Sequence, residues 1–264
     1  PDVTIDLNGF TVQRLGSGAS SESLIRAGSS LVSNVTVKNG TVKNSGKAGI
    51  ELVTNARVEG VTVLAPVGAG VLLTGSRGVV KDCVVDNCVV FSPAINGITT
   101  STNSEVRDSK VHSAAQSGIF VAFGTVVQNC TVTSSTAFGI AAQLNAGGNR
   151  FLNNTVTNNG SGGIRVYSSS VVKDNHVSVS GLQVPGITVL SDGCRVEGNL
   201  IFGGPDAVRV ESGADDNLVI GNQAFNPTNG NGFVNVNSGT NMIGPVVTAA
   251  GTIASTNPWA NFSR

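Results

Sequence analysis

Charge is scarce in this chain. Asp, Glu, Lys and Arg make up 12% of its 264 residues, and sixteen basic side chains balance sixteen acidic ones. That is about half the usual charged share, and no basic stripe exists to track a nucleic-acid backbone, so nucleic acid is not an expected partner. Aromatic residues are few as well, with one Trp and one Tyr. Stacking faces for a sugar are therefore limited to Tyr167, Phe120, Phe123 and the tail residue Trp259. No window resembles a transmembrane helix or a signal peptide, so membrane insertion is not expected. The four cysteines, Cys83, Cys88, Cys130 and Cys194, form no C-x-x-C pair, which argues against zinc. No metal or other cofactor is expected.

What the chain does have is a repeat. One apolar residue is followed five positions later by another: Val37/Val42, Val58/Val63, Val80/Val85, Val106/Val111, Val127/Val132, Phe151/Val156, Val172/Val177, Val196/Ile201 and Val219/Ala224. After each pair comes a turn of small residues and a Gly-Ile-like step, from Gly49-Ile50 to Gly232-Phe233. Successive repeats are 21 to 26 residues apart. This rhythm excludes leucine-rich and hexapeptide solenoids and predicts an all-β, right-handed parallel β-helix with three short strands per turn. About ten turns at ~4.8 Å each would make a rod roughly 45–50 Å long.

Individual columns of the repeat predict side-chain roles. Two residues after the first apolar position stands Gly9, Asn39, Gly60, Asp82, Asp108, Asn129, Asn153, Asp174, Gly198 or Gly221. These residue types tolerate a left-handed backbone, so a one-residue corner between two strands is expected there. The following column ends in Asn154, Asn175, Asn199 and Asn222, whose amides should form a ladder along the axis. Cys83 and Cys130 share that column two turns apart, ~9.6 Å at the usual strand spacing, too far for a disulfide. Buried thiols are the expectation for each cysteine. Lys38, Glu59 and Lys81 form one charge column and Lys173 with Glu197 another, favourable as cross-strand pairs.

After the Gly step, Ile50 and its equivalents should point inward and the next residue outward. The outward column runs Glu51, Leu72, Thr99, Phe120, Ala141, Arg165, Thr188 and Arg209, and two residues on it continues as Val53 to Tyr167, Leu190 and Glu211. The β-helix is expected over 1–240 and a capping tail over 241–264, with Trp259 and Phe262 covering the last turn. The repeat pattern is already under way at Asp2, so a signal peptide or cap is expected to have been removed from upstream of Pro1.

The pattern from Leu7 to about Val236 resembles the right-handed β-helix proteins of the pectin lyase-like superfamily, and most of all its bacterial parallel β-helix repeat members. The opening Asp2-Val3-Thr4-Ile5-Asp6-Leu7-Asn8-Gly9-Phe10-Thr11 and the closing Asn257-Pro258-Trp259-Ala260-Asn261-Phe262 carry the likeness. The resemblance implies an extracytoplasmic protein, secreted, periplasmic or on the cell surface. It includes lyases, hydrolases, epimerases, tailspikes and adhesins, so by itself it implies a fold and not an activity. Hydrolases of this type set several Asp residues around the Gly-Ile strands. Here the positions before those steps are Ala48, Ala69, Asn96, Ser117, Phe138, Gly162, Pro185, Asp206 and Asn231, and only Asp206 is a carboxylate. Calcium-dependent lyases need a carboxylate cluster, and the outward columns carry none. Asp215-Asp216 falls in a turn, where solvation accounts for it.

The best candidate site is a patch on turns seven to nine. Arg165, Tyr167, Thr188, Arg209 and Glu211 should share one face, with Asp206 at its edge. Arg and Tyr could grip a uronate, and Asp206 and Glu211 are the weak candidates for acid–base work. His112 and His176 are expected to be isolated on another face. Three functions stay open: a polysaccharide-binding rod without catalysis, a structural rod that self-associates through outward Leu72 and Phe120 or through its ends, and a lyase, epimerase or glycosidase with an atypical site.

Overall fold

The computed structural model of the chain describes residues 2–15, 22–28, 32–86, 95–180, 184–228, 232–236, 239–248 and 256–263. Cys88 and Asn231 lie outside them. All strand pairs among the described residues are parallel, as a coil of stacked turns requires. One ten-stranded sheet collects the strands that follow the Gly step, from Ile25–Arg26 through Ile50–Leu52, Ile119–Val121, Gly162–Val166 and Val208–Val210 to Phe233–Asn235. The larger sheet carries the other two strands of each turn and bends between them. Early in the chain the two are continuous, as in Val35–Lys43 and Arg57–Leu64; later they separate, as in Arg150–Leu152 and Thr155–Thr157.

The bend is the predicted left-handed corner. Asn39, Asp82, Asp108, Asn129, Asn153 and Asp174 all have φ between 51° and 58°, and Gly60, Gly198 and Gly221 join them. A single residue with positive φ turns the chain without a loop, and Asn or Asp accepts that conformation at low cost. The inner columns then stack. Ile50, Val71, Ile98, Ile119, Ile140, Ile164 and Ile187 are buried, as are Val37 to Val219 and Val42 to Ala224. Burial of one apolar residue per strand per turn is the main stabilising term, at about 25 cal/mol per Å².

The Gly-Ile step has a physical cause that lies in packing, not in φ. A Cβ added to Gly118 would sit 2.1 Å from Cγ1 of Val132 on the next turn, and at Gly139 it would sit 2.2 Å from Val156. The glycine column therefore lets each turn close onto the valine column of the one stacked upon it.

The Asn ladder forms in the core. Each side-chain amide of Asn154, Asn175 and Asn199 donates at 2.9 Å to the Oδ1 of the next Asn in the column, and each backbone N–H donates to the same oxygen. A second ladder was not marked by the sequence pattern. At the other corner Thr125 donates its N–H to Asn149, Cys194 to Asn217, and Asn217 to Asn241. Its column mixes Ser104, Thr125, Asn149, Ser170 and Cys194, so the shared role is hidden by unlike residues.

Cys83, Cys130 and Cys194 are free and buried. Burial pushes their thiols up to about 11, 12 and 11. The charge columns keep the predicted register, but their ion pairs are mostly not the expected ones. Lys38 reaches back to Asp6, Glu59 pairs with Arg57 of its own strand, and Lys81 with Asp82. Lys38 thus takes the facing rung on its other side, while Glu59 and Lys81 take neighbours in their own turn. Lys173 and Glu197 do pair across strands, at 2.6 Å.

Within the tail, Met242–Ile243 pairs with Leu218–Ile220, and Asn261–Ser263 lies between Gln223–Phe225 and Val246–Val247. Trp259 was expected to cover the last turn. It is 54% exposed instead, because the strand Asn261–Ser263 fills that space.

Candidate functional site

The ten-stranded sheet presents one outward column along the rod, and its register runs Glu51, Leu72, Thr99, Phe120, Ala141, Arg165, Thr188, Arg209. Arg165, Thr188 and Arg209 are therefore on adjacent rungs, and the two arginines flank the threonine. Thr188 is only 7% exposed. The expectation that it faces a ligand is corrected: two long side chains on either rung shield it.

Arg209 is committed to carboxylates. Its Nε lies 3.0 Å from Glu211, and Nη1 lies 3.6 Å from Asp206, whose side chain is 2% exposed. Asp206 and Glu211 thus share one guanidinium. Both carboxylates are engaged by the same cation.

Arg165 is held differently. Its guanidinium carbon sits 4.6 Å from the ring centre of Phe138 and 6.0 Å from that of Tyr167. Nη2 donates to the Ala142 carbonyl at 3.4 Å, while Nε has no hydrogen-bond partner among the described residues. No carboxylate of the described residues forms an ion pair with Arg165. The aromatic contacts fix the cation by its π-facing surface; Nε is buried, so the terminal Nη groups are the ones left to meet an anion.

Tyr167 does not face solvent. At 7% exposure it packs with the core, and its carbonyl accepts from the Cys194 thiol. It serves the site as a support for Arg165. Phe138 does the same from the neighbouring strand and was not among the predicted site residues. Its signal was the glycine pair Gly162-Gly163: Phe138 lies opposite Gly162, where a Cβ would come 3.0 Å from the ring. The bare glycine makes room for the phenyl ring.

Elsewhere on the same column, Leu72, Thr99 and Phe120 line a depression of 440 Å³ with Lys47 and Asn96. Asn96 is engaged there, donating to Thr99 and accepting from the Ser117 N–H. Glu51 closes this end of the column. Burial pushes its carboxyl up, but hydrogen bonds from Ser23 and Lys47 outweigh this and hold it below the usual range.

His176 is not isolated, contrary to expectation. Its ring is 5.3 Å from Phe202, which stacks on Phe225 at 4.9 Å. Phe202 and Phe225 are register partners, so the stack follows from strand spacing. Their faces are turned toward each other, which leaves edges outward and makes a ladder, not a sugar platform. Among the described residues no three His, Cys, Asp or Glu side chains converge in a way that could hold a metal ion.

The sequence profile of the right-handed β-helix region matches residues 16–126 and 94–244. The chain belongs to that family. No curated protein sequence matches it significantly. Among solved structures, it is similar to the A-module of the mannuronan C-5 epimerase AlgE4 of Azotobacter vinelandii, at 14% identity and a TM-score of 0.63, over all of this chain and 85% of that one. The Dettilon tailspike protein aligns at 14% identity and a TM-score of 0.49, over 99% of this chain and 60% of its own. The PL6 family alginate lyase AlyGC aligns at 15% identity and 0.45, over 80% and 38%. At such identities the likeness is one of fold.

Proposed function

We propose that this β-helix binds an acidic polysaccharide along the outward face of its ten-stranded sheet, without turning it over. The observation that carries this reading is Arg165, a guanidinium seated on Phe138 and Tyr167 with no carboxylate of the described residues paired to it. A uronate carboxylate supplies the missing partner in a charge-assisted, two-pronged contact. Arg209 and Glu211, two rungs on, offer a donor and an acceptor to the hydroxyls of a neighbouring sugar. The fold is similar to that of the A-module of a mannuronan C-5 epimerase. Binding without turnover is supported by Asp206 and Glu211, which both sit on one arginine. A polymer ligand of this kind supports an extracytoplasmic location.

Isothermal titration with polymannuronate and polygalacturonate tests the reading. Arg165→Ala should weaken binding about tenfold, equivalent to roughly 1.4 kcal/mol, and salt should weaken it further. Equal affinity of wild type and Arg165→Ala for both polymers would overturn it, as would equal affinity for a neutral dextran. Release of unsaturated or reducing ends from either polymer would overturn the absence of turnover.

A further inference from the structure

The indole of Trp259 stands exposed on a hydrogen-bonded backbone. The Trp259 N–H donates to Asn257 Oδ1 at 2.9 Å, and Ala260 N–H donates to the Asn257 carbonyl. The next two residues, Ala260 and Asn261, are buried, and Asn261 is a rung of the core amide ladder. On the other side a Cβ at Gly244 would lie 2.0 Å from the Trp259 carbonyl oxygen, so the two backbones are in contact through that glycine. An aromatic face fixed in this way loses little entropy when a ligand stacks on it.

Two grooves meet at this ring. One, of 370 Å³, is apolar and lined by Leu218, Ile220, Met242 and Pro245. The other, of 210 Å³, is lined by Arg195, Glu197 and Pro258. Glu197 is bound by Lys173 from the neighbouring strand and by Arg195 from its own, and Asp174 stands beside Lys173. Among these described side chains charge is balanced, two cations against two carboxylates, in contrast to Arg165. What the second groove offers is a fixed acceptor next to a fixed donor. A ligand that suits both grooves has an apolar face and a rim of hydroxyls, and no net charge.

We propose that Trp259 is the stacking platform of a second glycan site, specific for a neutral pyranose, with Glu197 and Arg195 reading its hydroxyl edge. The site is on the larger sheet at the C-terminal end of the rod, separate from the Arg165 column. It stands independently of the acidic-polysaccharide reading.

Trp259 is the sole tryptophan of the chain, so emission excited selectively through the indole, and not through Tyr167, reports on this site alone. Cellohexaose, laminarihexaose, xylohexaose and hexagalacturonate would each be titrated at low and high salt. We expect a saturable emission change with a neutral hexaose at a Kd of about 1 mM or tighter, unaffected by salt and by Arg165→Ala. Calorimetry should show that Trp259→Phe keeps binding, Trp259→Ala loses it, and Glu197→Ala weakens it about tenfold, with unchanged melting in Trp259→Ala. No response to any neutral hexaose at about 10 mM would overturn the proposal. So would a response confined to hexagalacturonate, or undiminished binding by Trp259→Ala.

Discussion

Asn222 donates its side-chain amide to Asn261, 39 residues further along the chain, at 3.1 Å. The preceding rungs are 21 to 24 residues apart and have the same geometry. The amide column thus continues across a break in the sequence rhythm, because what it needs is an Asn at the next height and not a fixed interval.

Removing a middle rung should expose how much the column contributes. In Asn199→Ala, the Asn175 N–H and amide lose their acceptor, Asn222 Oδ1 loses a donor, and the Val172 and Glu197 carbonyls lose theirs. Several buried polar groups left unpaired should cost about 3 kcal/mol. Asn199→Ser should cost roughly half, since Ser109 already accepts a backbone N–H in the same column. Urea denaturation measures both.

The buried thiols predict reactivity and alkaline behaviour. In a Cys88→Ser background, Cys83, Cys130 and Cys194 should resist a thiol reagent at pH 8 until the chain unfolds, because burial holds them at about 11 to 12. The unfolded thiols ionise from about pH 8.5. Stability should therefore fall as pH rises above that value, until the folded thiols ionise as well. Thermal melts from pH 7 to 11 would show the decline, and a triple Ser variant should lack that component.

Acid should act through Glu197. Its carboxyl is held below the usual range by the Lys173 hydrogen bond, with burial opposing and Arg195 assisting. A depressed carboxylate stabilises the fold above the unfolded value, about 4.3, and that contribution disappears as pH falls through the folded value. The difference in melting temperature between wild type and Glu197→Gln should be constant above about pH 5 and shrink as the pH is lowered toward 2.

The two arginines of the sheet face should separate binding from stability. Arg209→Ala strips Asp206 of a guanidinium in a buried position and should cost about 2 kcal/mol of stability. Arg165→Ala removes a cation–π contact worth about 1 kcal/mol, so its main effect should fall on uronate binding. Paired unfolding and titration experiments on the two variants would check this; equal effects of both on stability would contradict it.

Much of the architecture was legible because each turn repeats the same demands. The Val and Ile columns, the left-handed corner and the register of Arg165, Thr188 and Arg209 all follow from position in the repeat. What the pattern could not report was how side chains lie across the surface. Tyr167 occupies an outward column yet is buried under Arg165, and Lys38 prefers Asp6 to Glu59. Phe138 sits outside the strand alternation, at the step itself. The second ladder escaped notice because Ser, Thr, Asn and Cys alternate in its column, and the final turn because its strands lie far apart in sequence.

That final turn fixes an order of events during synthesis. Val246–Val247 leaves the ribosome before Asn261–Ser263, yet the later strand lies between it and Gln223–Phe225. Among the described residues, Val246–Val247 has no strand partner until Asn261–Ser263 has paired with Gln223–Phe225, so this rung closes only after the later segment is in place. The same late segment carries Trp259, and the indole reaches its final setting only when that rung closes.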